Sequence, residues 1–152
     1  MIDVASELVP LIERYVSYSE GMNFEGKRGL WDRDEPAPLL MPEEAAEPLV
    51  GWAAIDAYWS KSRVVMTSLK SRTANHRCRL LAPNIALVTY DMRWVATLAS
   101  LPRPPIAADV RVTALLRKKP EGWRYFHLME GPIDLAGMTR LARQRQGRAL
   151  FD

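Results

Sequence analysis

Asp91 and Glu130 are acids in a basic setting. Residues 61–152 carry seventeen bases against six acids, a net of +11, and these are two of the six. Residues 1–60 run the other way, with four bases against twelve acids, a net of −8. Arg93 follows Asp91 by two residues. In an extended strand that spacing puts both on one face, about 7 Å apart. A carboxylate enclosed among apolar groups is pushed toward its neutral form and serves as a general acid or base near neutral pH. An arginine beside it orients it or binds an acidic ligand group. Proton transfer is the chemistry these residues suit, although they fit an ordinary salt-bridged sheet face as well.

Other chemistries lack their residues. Cys78 is the only cysteine, so an internal disulfide is excluded and a reducing, cytoplasmic setting is expected. Two histidines, His76 and His127, cannot complete a zinc site with one distant cysteine, and no metal site is expected. His127 reads as a packed histidine rather than a catalyst. None of the eight glycines forms a loop that would cradle a phosphate, and no nucleophile elbow is present. Any reaction is expected to run without a cofactor.

With 152 residues, 48% of them hydrophobic and 26% charged, the chain suits one soluble, compact domain. No apolar run is long enough to span a membrane, and the polar start suggests no secretory leader. The net charge of +3 is a difference between two opposed halves. It predicts an acidic helical layer against a basic sheet more than it predicts a nucleic-acid partner. Arg140, Arg143, Arg145 and Arg148 in the tail lack interleaved aromatics, so nucleic-acid binding is not expected.

Helices come first. Val4, Leu8, Leu11, Ile12, Tyr15 and Met22 recur at helical spacing, with Pro10 in the first turn or at a kink. A second short helix is predicted over Phe24–Trp31, then a proline-rich loop from Asp32 and an acidic turn between Pro42 and Pro48. Trp52, Ile55, Tyr58 and Trp59 share a face of a third helix. Strands follow at Arg72–Leu81, Ile85–Leu98, Asp109–Lys119 and Trp123–Glu130, the last two joined by the Pro120-Glu121-Gly122 turn. Helices followed by antiparallel strands make an α+β layout.

Residues 4–132 resemble the nuclear-transport-factor-two-like superfamily, which includes the SnoaL-like and ketosteroid-isomerase-like domains. The stretch Glu47-Pro48-Leu49-Val50-Gly51-Trp52-Ala53-Ala54-Ile55-Asp56-Ala57-Tyr58-Trp59 carries the resemblance best. Arg14-Tyr15-Val16, Leu30-Trp31, Arg111-Val112-Thr113-Ala114-Leu115-Leu116-Arg117 and Gly122-Trp123-Arg124-Tyr125-Phe126-His127 add to it. It implies a cone-shaped curved antiparallel sheet wrapped around the N-terminal helices and enclosing a pocket. The domain is expected over 1–132, with a basic helical tail over 133–152.

Tyr15 falls where the isomerases carry an oxyanion-binding tyrosine. Met41 stands where their base would precede a proline, so steroid isomerisation proper is not implied. Thr113 falls near the place of their second acid. Similarity to kinase association domains implies that the Arg93 and Glu130 positions point into the pocket. On that orientation Asp91, Glu130 and Tyr15 are the candidate catalytic groups. Arg93, Thr113, Arg111, Trp31, Trp59, Met41 and Phe126 are the candidate binding residues. The expected ligand is a small apolar or aromatic molecule with a polar group, and the expected reaction an isomerisation, dehydration or cyclisation. A non-catalytic association domain like the kinase hub is the alternative. With Tyr90, Met92, Trp94, Tyr125 and Met129 then on the outer face, a homodimer covering that face is expected.

Overall fold

A computed structural model describes residues 3–99, 105–133 and Thr139. The expected tail, apart from Ile133 and Thr139, lies outside the described residues. Helix α1 (Ala5–Glu20) buries Leu8, Ile12, Tyr15 and Val16, the stripe its periodicity predicts. Pro10 sits inside it, past the first turn, and leaves the Ser6 carbonyl without a helical donor. Helix α2 spans only Phe24–Gly29. The Asn23 side chain caps it by accepting the Gly26 N–H at 2.9 Å. A Cβ on Gly26 would lie 2.6 Å from the Asn23 amide nitrogen, so the cap needs glycine there.

Beyond α2 the chain runs along the sheet instead of continuing as helix. Tyr125 donates its N–H to the Leu30 carbonyl at 2.9 Å, and Asp32 donates to the Tyr125 carbonyl at 2.8 Å. Two strands missing from the sequence reading follow, β1 (Leu39–Met41) and β2 (Leu49–Val50). Helix α3 (Trp52–Val65) precedes β3 (Met66–Ala82), β4 (Ile85–Leu98), β5 (Ile106–Lys119) and β6 (Gly122–Pro132). The sheet order is β2-β1-β6-β5-β4-β3. It is curled without closing, with the helices in its concavity, an α+β cone. It is mixed rather than wholly antiparallel, because β1 lies parallel to β6. Strands of two or three residues carry no periodic signal of their own; pairing with a neighbour makes them strands.

The faces of the long strands are the main correction. Ala86, Val88, Tyr90 and Ala96 of β4 are buried, as are Ala108, Val110, Val112, Ala114 and Leu116 of β5. The concave face therefore takes the even-numbered residues, with Tyr90, Met92 and Trp94 inside it. Asp91, Arg93, Arg111 and Thr113 alternate onto the convex face. There Asp91 stands opposite Arg111, and Arg93 opposite Asp109, as ion pairs of 3.6 and 3.5 Å. Of the five apolar residues expected to need cover outside, Tyr90, Met92, Trp94 and Tyr125 face inward, and Met129 remains outside at 39% exposed.

In β6 a bulge falls at Phe126. Leu115 pairs with His127 and Leu116 with Tyr125, so Phe126 is the extra residue. Trp123 and Tyr125 point inward before it, and Leu128 after it. Phe126 packs under the Arg117 guanidinium, 4.5 Å from the ring centre, and faces away from the cavity.

The charge halves meet as layers. Arg117 donates to Asp32 at 2.6 Å and to Glu35 at 2.9 Å; Lys119 reaches Asp32 at 3.1 Å and Asp34 at 2.7 Å; Lys118 pairs with Glu7. Asp32 is only 1% exposed. Burial alone would raise its pKa, but hydrogen bonds from Arg117, Lys119 and the Asp34 N–H pull it below the ordinary carboxylate value. Asp32→Ala removes the buried carboxylate that Arg117 and Lys119 share, leaving Arg117 to Glu35 and Lys119 to Asp34. Because those cations still reach solvent, the expected loss is about 2–3 kcal/mol in urea unfolding. The Asp32 contribution is full above its unfolded pKa and is lost as pH falls through the lower folded one. The variant and the parent should therefore converge in stability on acidification below pH of about 4.

Candidate active site

Between the helices and the concave face lies a cavity of about 540 Å³. Tyr15 and Val16 of α1, Phe24 and Lys27 of α2, and Tyr58 and Trp59 of α3 form one wall. Tyr90, Met92 and Trp94 of β4 and Glu130 of β6 form the other. Small residues, Ala86 and Val88, fill the narrow end of β4, and its bulkier residues frame the open space. Glu43 and Glu44, in the β1–β2 connection, add two carboxylates to the lining, and Lys61 of α3 adds a second lysine.

Glu130 reaches this cavity because of the bulge, which sets its side with Leu128 on the concave face. The parallel β1–β6 register, Met41 opposite Met129, then brings Glu43 beside it. Burial raises the Glu130 carboxyl, the nearby Glu44 and Glu43 charges raise it further, and Lys27 and the Glu43 backbone N–H partly offset them. The result is about 7. Lys27 moves the opposite way: burial lowers its ammonium to about 8, against the pull of Glu130 and Glu44. Lys27 is 8% exposed, yet no carboxylate among the described residues lies within ion-pair distance of it. Its Nζ rests over three rings instead, at 4.5 Å from Tyr15, 5.0 Å from Trp59 and 5.6 Å from Phe24.

The phenols stay protonated. Burial raises Tyr15, Tyr58 and Tyr90, and the Glu130 charge adds to each. Tyr58 donates to Glu44, and Trp94 donates to Glu43 at 3.1 Å. The Trp59 indole N–H, buried on the cavity wall, has no acceptor among the described residues. Neutral hydroxyl and indole donors around one carboxyl of near-neutral pKa can stabilise a developing oxyanion while that carboxyl moves a proton.

Of the sequence candidates, the fold brings Tyr15, Trp59 and Glu130 together at the cavity. Trp31 lies behind them, fully buried against Trp52, Trp59 and Tyr125. Met41 is on β1 and off the cavity lining; Asp91, Arg93, Arg111, Thr113 and Phe126 are on the other side of the sheet. Asp91 instead accepts from Asn75 at 2.8 Å, where β3 bulges and Asn75 has φ of 55°. Lys27, Glu43, Glu44, Tyr58 and Tyr90 are added. Lys27 had a readable signal, since it sits three residues after Phe24 on the apolar face of α2. Glu43 and Glu44 had none, because they arrive through the parallel strand pair. Among the described residues no group of three or more His, Cys, Asp or Glu side chains is arranged to hold a metal ion. No described helix is long and apolar enough to cross a membrane.

No family model matches the sequence, and no curated protein matches it. Solved structures do. A nuclear transport factor 2 (NTF2-like) superfamily protein from Salmonella enterica serovar Typhimurium has a TM-score of 0.75 at 18% identity, covering 87% of this chain and 93% of its own. The fold is that of the nuclear-transport-factor-two-like superfamily. A candidate dehydratase of the NTF2-like family from Streptomyces avermitilis has a TM-score of 0.73 at 14% identity, covering 86% of this chain and 97% of its own. A candidate calcium/calmodulin-dependent protein kinase II association domain from Xanthomonas campestris has a TM-score of 0.71 at 16% identity, covering 86% and 89%. These neighbours include an enzyme candidate and an association domain, so the shared fold leaves the chemistry to the cavity.

Because folding raises the Glu130 pKa from 4.5 to about 7, ionising it costs stability. That cost grows as pH rises through this interval and is complete above it. Glu130→Gln removes the cost. Its melting temperature relative to the parent should be nearly level at pH of about 5 and higher at pH of about 8.5. A difference that stays flat across that range would show an ordinary carboxylate.

Proposed function

We propose that this chain is an acid–base catalyst acting on a small apolar or aromatic molecule with a carbonyl-type polar group. The observation that carries this reading is the place of Glu130, a carboxyl on the wall of a cavity lined by aromatic rings, where burial raises its pKa. It takes a proton from carbon, or returns one, while Tyr15 and Tyr90 supply neutral donors to the oxygen that gains charge. Isomerisation, dehydration and cyclisation all use that pair of roles. Met92, Trp94 and Phe24 provide the apolar bed. An open cavity of this size supports a small-molecule site over a solid association module.

The test needs no known substrate. A panel of aromatic ketones in D2O, followed by NMR, reports exchange of their α-protons. The chain should accelerate exchange for at least one member, with a pH profile rising near 7. Glu130→Gln should reduce that acceleration about 100-fold or more. Asp91→Asn, on the convex face, should leave it unchanged. Equal loss in both variants, or none in Glu130→Gln, would refute the assignment.

A further inference from the structure

Lys27 is a buried cation whose ammonium has no acceptor among the described residues. The described residues bury three charged side chains, Lys27, Asp32 and Glu43. Asp32 is held by Arg117 and Lys119, and Glu43 accepts from Trp94. Of the three, only the Lys27 side chain makes no hydrogen bond or ion pair among the described residues, and its Nζ stands on the cavity wall within the Tyr15, Trp59 and Phe24 rings. A methionine would fill that space without the cost of burying an ammonium. An amine in this setting offers what methionine cannot: rings that tolerate it charged or neutral, and an open cavity in front of its lone pair. Lysines desolvated in apolar pockets are nucleophiles toward carbonyl carbon.

We propose that Lys27 is a second catalytic group of this cavity, forming an imine with an aldehyde or ketone ligand. This rests on the acid–base reading of the same cavity and specifies its ligand class. In the first step the Nζ lone pair bonds to the carbonyl carbon. The C=O π pair moves to oxygen, which takes a proton, while nitrogen gives one up. The carbinolamine then loses its hydroxyl as water, with Glu130 in its acid form supplying the proton, and C=N replaces C–O. Amine and carbonyl become imine and water, and nothing is oxidised or reduced. The protonated imine draws electrons from the neighbouring C–H bond, whose proton passes to the Glu130 carboxylate. The Glu130 carboxyl returns the proton to carbon, restoring the protonated imine, and addition of water then reverses the first steps and frees the lysine. Tyr15 of α1, Glu44 of the β1–β2 connection, Trp59 of α3 and Glu130 of β6 are the groups that face the amine.

The probe is 3-phenylpropanal with sodium cyanoborohydride, which converts an imine to a stable secondary amine. Digestion and mass spectrometry then locate it among Lys27, Lys61, Lys70, Lys118 and Lys119. Lys27 should be alkylated at least ten-fold faster than any of the others. The Lys27→Met and Lys27→Arg variants, checked for native circular dichroism, should both lose the fast phase, although Arg keeps the charge. Labelling of Lys27 no faster than the other lysines would overturn the proposal. If ketone exchange still depends on Glu130 in that case, the acid–base reading survives without it. Fast Lys27 labelling with exchange indifferent to Glu130→Gln would overturn the acid–base reading and keep the imine site.

Discussion

A curled sheet has one concave face, and every inward side chain must pack against the helices or line the space left between them. Whether β6 presents odd or even residues there is set by one extra residue, Phe126. Before the bulge Trp123 and Tyr125 enter the core; after it Leu128 and Glu130 do. If Phe126 instead paired in regular alternation, His127 and Met129 would follow Tyr125 inward, and Glu130 would join Asp91 and Arg111 among the solvated charges. The cavity would keep its aromatic lining, with Glu43 and Glu44, and lose the Glu130 carboxyl. The bulge thus supplies the unusual acid, and the parallel β1 strand beside it supplies Glu43 and Glu44.

The ion pairs of the fold sort by depth in the same way. Asp91–Arg111 and Arg93–Asp109 sit on the convex face, their arginines more than 60% exposed, and each is worth well under about 1 kcal/mol. The Asp32 cluster joins the end of α2 to β5, where it also fixes the Leu30–Asp32 segment along β6. That segment places Trp31 behind Trp59, and Trp59 in turn faces Lys27. Structural charge and cavity charge are therefore separate populations. The first is matched in ion pairs and in the shared Asp32 network; the second includes Lys27 and Glu130, which line one cavity without forming an ion pair.

Most of the element order was legible. The β4 limits, Ile85 and Leu98, agree with those read from alternation, and α1 buries its predicted stripe. Strand alternation also divided β4 into its two faces correctly. Which face was inside could not be read from it, because both carry apolar residues: Ile85, Leu87 and Val95 on one, Val88, Tyr90 and Trp94 on the other. Resemblance to association domains favoured the wrong one. Glu130 and Tyr15 meet at the cavity as expected, whereas Asp91, an acid rare in the basic half, belongs to a surface ladder.

Local sequence determined what local physics determines: the amphipathic stripe of α1, the Asn23 cap over Gly26, the Gly122 turn at φ of 116°, and the opposition of an acidic helical half to a basic sheet. Tertiary structure decided the rest. A bulge shows itself only against a partner strand, since it is a mismatch between two registers. Three-residue β1 becomes a strand only by pairing with β2 and with β6, the latter about ninety residues away. A carboxyl acquires a raised pKa only when other chain segments exclude water from it. Lys27 lies in the apolar stripe of a six-residue helix, but its ring cage is contributed partly by α1 and α3. Those are properties of contacts between distant segments, and no single segment contains them.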